Sequence, residues 1–370
     1  MSFHEIYSKY SDFDLNKAFD SLSNIDINRA IDPGEGSIKD LISLLSPAAE
    51  SSLETMAARS RDLTLKYFGR TIQLYTPMYL SNYCENRCLY CGFNASNKIE
   101  RRSMSPEEVE KEAQFISATG LRHILILTGE SRSMSPVSYI KESVKILKRY
   151  FSSISLEVYP LSESEYSELI SEGVDGLTIY QEVYDKRIYN AMHPLGPKND
   201  YVFRLDTPER GARAGMRNVN IGVLLGLNDW RREVFSMALH AKYLQDKLPD
   251  VDIGVSVPRI RPQVGGFKAS CVVTDKNIVQ IILALRIFLP RLGITVSTRE
   301  SAILRENLVP LGITRMSAGS TTRVGGHTIE KTGSEDNGQF EISDRRSVDE
   351  IKTSLEKKGY QAVFKDWMHI

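Results

Sequence analysis

From Pro77 onward the chain alternates short apolar runs with amphipathic stretches, and that alternation leaves few folds open to it. The runs are MYLSNY (78–83), HILILT (123–128), SLEVYP (155–160), GLTIYQ (176–181), NVNIGVLL (218–225), DIGVSV (252–257), GITVST (293–298) and GITRMSA (312–318). Their β-branched content and length suit strands. Between them lie helical patterns such as PEEVEKEAQFISATG, PVSYIKESVKILKRYF and KNIVQIILALRIFLPRLG. Gly120, Gly173, Gly293 and Gly312 stand just ahead of strands, where a C-cap glycine is expected to end a helix. Strand and helix repeated through eight units predict an α/β fold, a (β/α)8 barrel of the TIM type. An open doubly wound sheet gives the same local pattern. The regular spacing and the lack of a G-x-G-x-x-G motif at the first βα turn favour the barrel.

A barrel needs about 250 residues, and 77–320 supplies them. Residues 1–76 are polar with apolar positions at helical spacing, broken by a loop at Asp32-Pro33-Gly34-Glu35-Gly36, and read as an N-terminal helical extension. Residues 321–370 read as a loop and tail packing on the barrel.

Lys plus Arg and Asp plus Glu both total 47, so the net charge is zero. This excludes the overall basic balance of a nucleic-acid coat or a membrane-surface binder. A membrane span is not expected, because no run of about 18 apolar residues is present. The opening MSFHEIYSKYSDFD lacks the apolar core of a secretory signal, so a cytoplasmic location is expected. Four Cys are too few for a disulfide framework. In a reducing compartment, clustered Cys point instead to metal or catalysis.

Three of the four Cys are clustered in Cys84-Glu85-Asn86-Arg87-Cys88-Leu89-Tyr90-Cys91, directly after the first strand. In a barrel that loop opens on the C-terminal face, where active sites lie. Three thiolates without a neighbouring fourth ligand suit a [4Fe–4S] cluster with one iron left open. A zinc site completed by Cys271 or a distant His is the competing reading.

CENRCLYC, with an aromatic residue before its last Cys, resembles the signature of the radical S-adenosylmethionine (SAM) superfamily. The resemblance implies that Cys84, Cys88 and Cys91 hold a [4Fe–4S] cluster whose fourth iron is chelated by SAM. Further SAM contacts follow from it. Gly129-Glu130, ending the second strand, resembles the element that meets the SAM ammonium; the alternative is a strand-end turn with a solvated Glu. Glu182, closing the fourth strand, is placed to accept from ribose hydroxyls. Arg204 is placed to pair with the SAM carboxylate, with Arg210 and Arg213 as rivals; the alternative for Arg204 is an exposed helix charge.

Other segments (LILTGE, EVYPLSESEY, GLTIYQEVY, RLDTPERGARAG, SVPRIRP, STRES and FKDW) resemble the 2-iminoacetate synthase family, the tyrosine lyases of thiamine thiazole formation. The likeness runs from about residue 15 to the end. It implies cleavage of the Cα–Cβ bond of L-tyrosine to 2-iminoacetate and p-cresol. It also implies thiazole synthase as a protein partner and a reduced flavodoxin or ferredoxin type electron donor. The related tyrosine lyase of hydrogenase maturation carries a second, C-terminal cluster site, but this chain has no Cys after Ala318. A tryptophan lyase and a non-catalytic Fe–S scaffold are the other readings.

A zwitterionic substrate needs a cation for its carboxylate. Arg299, with Ser317 or Ser320, is the expected clamp; pairing of Arg299 with Glu300 or Glu306 is the alternative. Arg259 and Arg261 are further cations, and Tyr180 lines the pocket or packs in the core. His123 and His193 read as structural. Gly325-Gly326-His327 reads as a surface loop or a lid. The Gly-rich, polar segment 319–345 has no apolar period, and reads as unstructured until a partner docks.

Overall fold

A computed structural model describes residues 2–10, 13–32, 34, 36–328 and 338–365. Its strands are β1 (Thr71–Ser81), β2 (His123–Thr128), β3 (Ser153–Glu157), β4 (Gly176–Glu182), β5 (Asn218–Val223), β6 (Asp252–Ser256), β7 (Gly293–Val296), β8 (Arg315–Ser317) and β9 (Gln361–Val363). All pair in parallel in the order β2 to β8, then β1. β1 also pairs with β2, through Thr76 opposite Ile124, and this closes the sheet into an eight-stranded barrel. An open sheet would have left β1 an edge.

Three expectations need correction. The first strand begins at Thr71, not Met78, so a boundary at 76/77 falls inside β1. Its burial alternates from the start, but polar Gln73 and Thr76 and the break signal of Pro77 hid it. Gly293 does not cap a helix. The preceding helix, Asp275–Phe288, ends at Leu289, and Gly293 opens β7, where a Cβ would stand 3.3 Å from the Gly254 Cα. Gly173 and Gly312 do take positive φ at the ends of their helices. Finally, β9 went unseen, being short and barely buried. It fills the edge of β1 beneath β2: Gln73 meets Arg315 of β8 on one side and Val363 of β9 on the other.

The surrounding helices start where the sequence provides caps. Ser105 with Glu108, Ser162 with Glu165, and Ser347 with Glu350 each form a reciprocal capping box. The N-terminal helices pack on the barrel's outer helices: Gln280 donates to the Leu44 and Ser46 carbonyls, and Phe3 stacks on His240 at 3.9 Å.

The described parts of 319–345 are tied to the barrel rather than loose, which corrects the reading of an unstructured segment; 329–337 lie outside the described residues. Val324 bridges to Tyr79. Buried Glu112, on the helix Pro106–Ala118, accepts from the backbone and side chains of both His327 and Thr328. Asp344 pairs with Arg305, and both side chains are 0% exposed. Burial makes that pair costly to break from one side. Asp344→Ala should lower unfolding free energy by about 3–5 kcal/mol, read by urea denaturation; a loss below about 1 kcal/mol would show that the pair holds little of the C-terminal segment.

Candidate active site

Parallel closure sends every strand's C-terminal end to one face, and there the functional candidates meet. A cavity opens among them, lined among others by Tyr79, Tyr90, Cys91, Glu157, Tyr180, Glu182, Arg299, Ser317 and Ser320.

The loop after β1 carries the three thiols. Gly129 lies under it: a Cβ there would stand 2.2 Å from the Tyr83 carbonyl oxygen and 3.1 Å from the Cys84 Cβ. Gly129 is thus where the end of β2 approaches the Cys loop closely. Glu85 N–H donates to the Glu130 carbonyl at 2.8 Å, and Asn86 Nδ2 donates to the Glu130 carboxylate at 2.6 Å. Arg101 donates to the carbonyls of Asn82, Phe93 and Asn94 and closes the loop's far side. Tyr90 is held by its hydroxyl against His193 Nε2 at 2.6 Å, while His193 Nδ1 faces the Tyr189 carbonyl. Burial and then the Lys198 charge push His193 down to about 2, so it is neutral and holds Tyr90 as an acceptor.

Burial pushes the Cys88 thiol up to about 12 and raises Cys91. Thiols so buried ionise only when something neutralises them, and iron does this. The three thiols share one short loop, and the fourth Cys of the chain is not among them. A single zinc draws its sulfurs to about 2.3 Å, whereas a cubane takes each thiolate on a separate iron. The donor set therefore fits the cluster. Cys271 sits apart, its N–H on the Gly226 carbonyl, and does not line the cavity.

Arg204 is 7% exposed and points inward, with Nε on the Tyr180 carbonyl at 2.7 Å. Burial opposes its charge, but Tyr189, Glu182, Tyr90 and Glu130 more than offset this and hold it above its ordinary value. It is no surface charge. Its rivals are occupied elsewhere: Arg210 lies 3.9 Å over the Phe203 ring, and Arg213 pairs with Glu163. Glu182 has φ 70°, the one non-glycine at positive φ among the described residues, where the β4–β5 register shifts. Such backbone strain clusters at functional sites. Its carboxylate already holds Lys198 Nζ at 2.8 Å, a partner the sequence did not signal.

Arg299 does not pair with Glu300 or Glu306. Glu300 takes Arg259, and Glu306 takes Arg346. Arg299 instead lies 3.3 Å from the centre of the Phe340 ring, facing the cavity, and its Nη1 reaches only the Arg259 carbonyl at 3.5 Å. Burial lowers its affinity for the proton, although Tyr79, Glu182, Tyr180 and Glu157 favour the charge. Arg259, bound to Glu300 and Asp275, is no free cation for a substrate. Arg261 does not line the cavity. The two serines differ. Ser317 accepts from Thr298 N–H and meets the Tyr75 phenol, while the buried Ser320 Oγ has no partner among the described residues. Tyr180 lines the cavity and also meets Ser256 beneath it, so it serves as floor.

Sequence reasoning missed Glu157, at the end of β3. Its exposed surface lines the cavity. Burial, then the charge of Glu182, raises its carboxyl to about 7, although Arg299, Lys198 and Arg204 oppose this. Its signal was present in retrospect: an acid inside an apolar run, at a strand's C-terminal end.

A barrel with a three-thiol loop at its mouth is the architecture of a radical SAM enzyme, and residues 78–238 match the radical SAM superfamily. Residues 256–361 match the biotin and thiamin synthesis associated domain. The 2-iminoacetate synthases of Salmonella typhimurium and Escherichia coli are 38% and 37% identical over 355 residues, 96% of this chain and 93% of theirs. The X-ray structure of the FeFe-hydrogenase maturase HydG from Carboxydothermus hydrogenoformans superposes with a TM-score of 0.86 at 30% identity, over 98% of this chain and 83% of that one. The chain belongs to the 2-iminoacetate synthase family, radical SAM carbon–carbon lyases.

Two substitutions test the thiol loop by iron content after anaerobic reconstitution. Cys271→Ala should retain all of the iron. Gly129→Ala should lose more than half of it while far-UV circular dichroism is unchanged, because the added methyl displaces the loop and not the barrel. Iron loss in Cys271→Ala would make Cys271 a ligand.

Proposed function

We propose that the chain cleaves the Cα–Cβ bond of L-tyrosine to 2-iminoacetate and p-cresol, consuming SAM to 5′-deoxyadenosine and methionine. One observation carries this reading: the three-thiol loop and a buried Arg299, with no carboxylate partner among the described residues, open on one cavity. When bound, a [4Fe–4S] cluster and SAM supply a 5′-deoxyadenosyl radical that takes a hydrogen atom from the substrate's amino nitrogen.

The chain's own residues bind, orient and exclude water. Cys84, Cys88 and Cys91 hold the cluster. The Gly129-Glu130 strand end and Arg204 take the amino-acid end of SAM, and Glu182, steadied by Lys198, takes its ribose. Arg299 receives the tyrosine carboxylate, with Ser320 as the adjoining hydroxyl and Ser317 shaping the wall. Tyr180 is the floor. Glu157 faces the substrate ammonium. Phe340, Tyr90, Leu224 and Pro258 keep water from the site. Among the described residues no helix is long and apolar enough to cross a membrane, which suits a cytoplasmic enzyme fed by a reduced flavodoxin or ferredoxin type donor. Because 2-iminoacetate is an imine that water hydrolyses, its delivery to thiazole synthase is part of this reading.

With reconstituted enzyme, reductant, SAM and L-tyrosine, the expected products are 5′-deoxyadenosine and p-cresol in equal amounts. 5′-Deoxyadenosine with no p-cresol would refute tyrosine cleavage. Arg299→Met should raise KM for tyrosine about tenfold to a hundredfold, the value of one or two charge-assisted bonds, and leave SAM cleavage without substrate intact.

Glu157 gives a pH signature. Its ammonium-binding form is the carboxylate, which accumulates as pH rises through about 7. KM for tyrosine should therefore fall across that window in the wild type. In Glu157→Gln it should be raised and flat there. An unchanged wild-type-like slope in the variant would assign the titration to another group.

A further inference from the structure

The segment 338–344 crosses the barrel mouth as a strap, held by backbone bonds to three other segments. Gln339 N–H donates to the Thr322 carbonyl, Glu341 N–H to Pro262, and Ser343 N–H to Thr298 at 2.9 Å. On the cluster side the fit is close. The Gln339 carbonyl accepts from Gly92 N–H at 3.0 Å, and a Cβ on Gly92 would stand 2.6 Å from that oxygen and 2.7 Å from the Gly338 oxygen. The residue after Cys91 thus has no side chain because the strap lies against it.

The Gln339 side chain is oriented as well. Tyr79 O–H donates to Gln339 Oε1 at 2.8 Å. The amide nitrogen is then turned toward Cys91, donating to its sulfur at 3.6 Å. The next residue, Phe340, lies face-on to the Arg299 guanidinium. Two adjacent strap residues therefore touch a thiol of the cluster loop and a cavity-facing arginine that has no carboxylate partner among the described residues.

We propose that the strap couples the two ends of the site, with Gln339 as a positioning residue that donates to the Cys91 sulfur and Phe340 as the contact that senses the occupancy of Arg299. This rests on the proposed roles of Cys91 and Arg299. A donor on a cluster thiolate stabilises the reduced, more negative state and raises the reduction potential. A carboxylate arriving on Arg299 competes with the ring for the guanidinium's charge. Because Phe340 adjoins Gln339 in the chain, a shift of the ring moves the amide that faces the sulfur.

Anaerobically reconstituted holoenzyme tests this by iron content and an EPR-monitored redox titration with SAM bound, with and without L-tyrosine. Gln339→Met, similar in shape but without a donor, should keep its iron. Its reduction equilibrium should be about tenfold less favourable, a midpoint about 59 mV more negative for one electron. In the wild type L-tyrosine should shift the midpoint or the EPR signal, and Phe340→Leu should abolish that shift when read against the variant's own midpoint without tyrosine. Should Gln339→Met lose its cluster, Tyr79→Phe retains the amide and frees its orientation, and a downward shift is again expected. A cluster-loaded Gln339→Met or Tyr79→Phe protein with the wild-type midpoint overturns the Gln339 role. A tyrosine shift that persists in Phe340→Leu overturns the coupling. Failure of the wild type to hold iron on the three Cys would refute the underlying site, a result distinct from either.

Discussion

The pairing of β1 on both edges is the constraint on which the rest depends. Once β1 meets β2 and β8, no strand of the barrel is left as an edge, and the strand ends must form a ring. The thiol loop, Glu157, Glu182, Arg299 and Ser320 come from different strands between residues 84 and 320, yet they line or border one cavity. Chemistry here is confined to the loops by the same burial that holds the barrel together.

Within that ring the electrostatics are balanced by pairs that are left incomplete. Lys198 is satisfied by Glu182, and Arg259 by Glu300, so neither offers a free charge. Among the described residues, Arg204 and Arg299 lie buried near acids but in no direct ion pair, and Glu157 is pushed toward neutrality. A buried charge without a close partner is costly. Under the proposed function, each of two amino-acid ligands would bring the carboxylate or ammonium that these residues lack. Burial also pushes the Cys88 thiol up to about 12, which disfavours its thiolate in the absence of metal.

The outer segments serve the mouth. Glu112 fastens His327 and Thr328, Arg305 and Asp344 anchor the far end, and the strap between Gly338 and Asp344 rests on the Cys loop. A loop of three thiols in so few residues cannot fold into its own core. It is shaped by Gly129 below, Arg101 beside it and Gln339 above.

The residues by themselves determined the period of the chain, the strand cores from β2 to β8 and the thiol spacing, because each is a local property: apolar alternation, capping boxes and three Cys on one turn of loop. They did not determine the start of β1, where polar Gln73 and Thr76 and a proline masked a strand whose partners lie far away in sequence, or β9, whose pairing with Thr71–Gln73 is its whole reason to be extended. At the site, sequence could nominate Arg204 and Arg299 but not separate them from Arg210, Arg213, Arg259 and Arg261. A guanidinium's role is set by which acid reaches it first, and Glu163, Asp275 and Glu300 came to their arginines through the fold. Glu157 and Gln339 were invisible for the same reason. An acid in an apolar run and an amide in a polar loop acquire meaning only when barrel closure brings one beside Glu182 and the other onto the sulfur of Cys91.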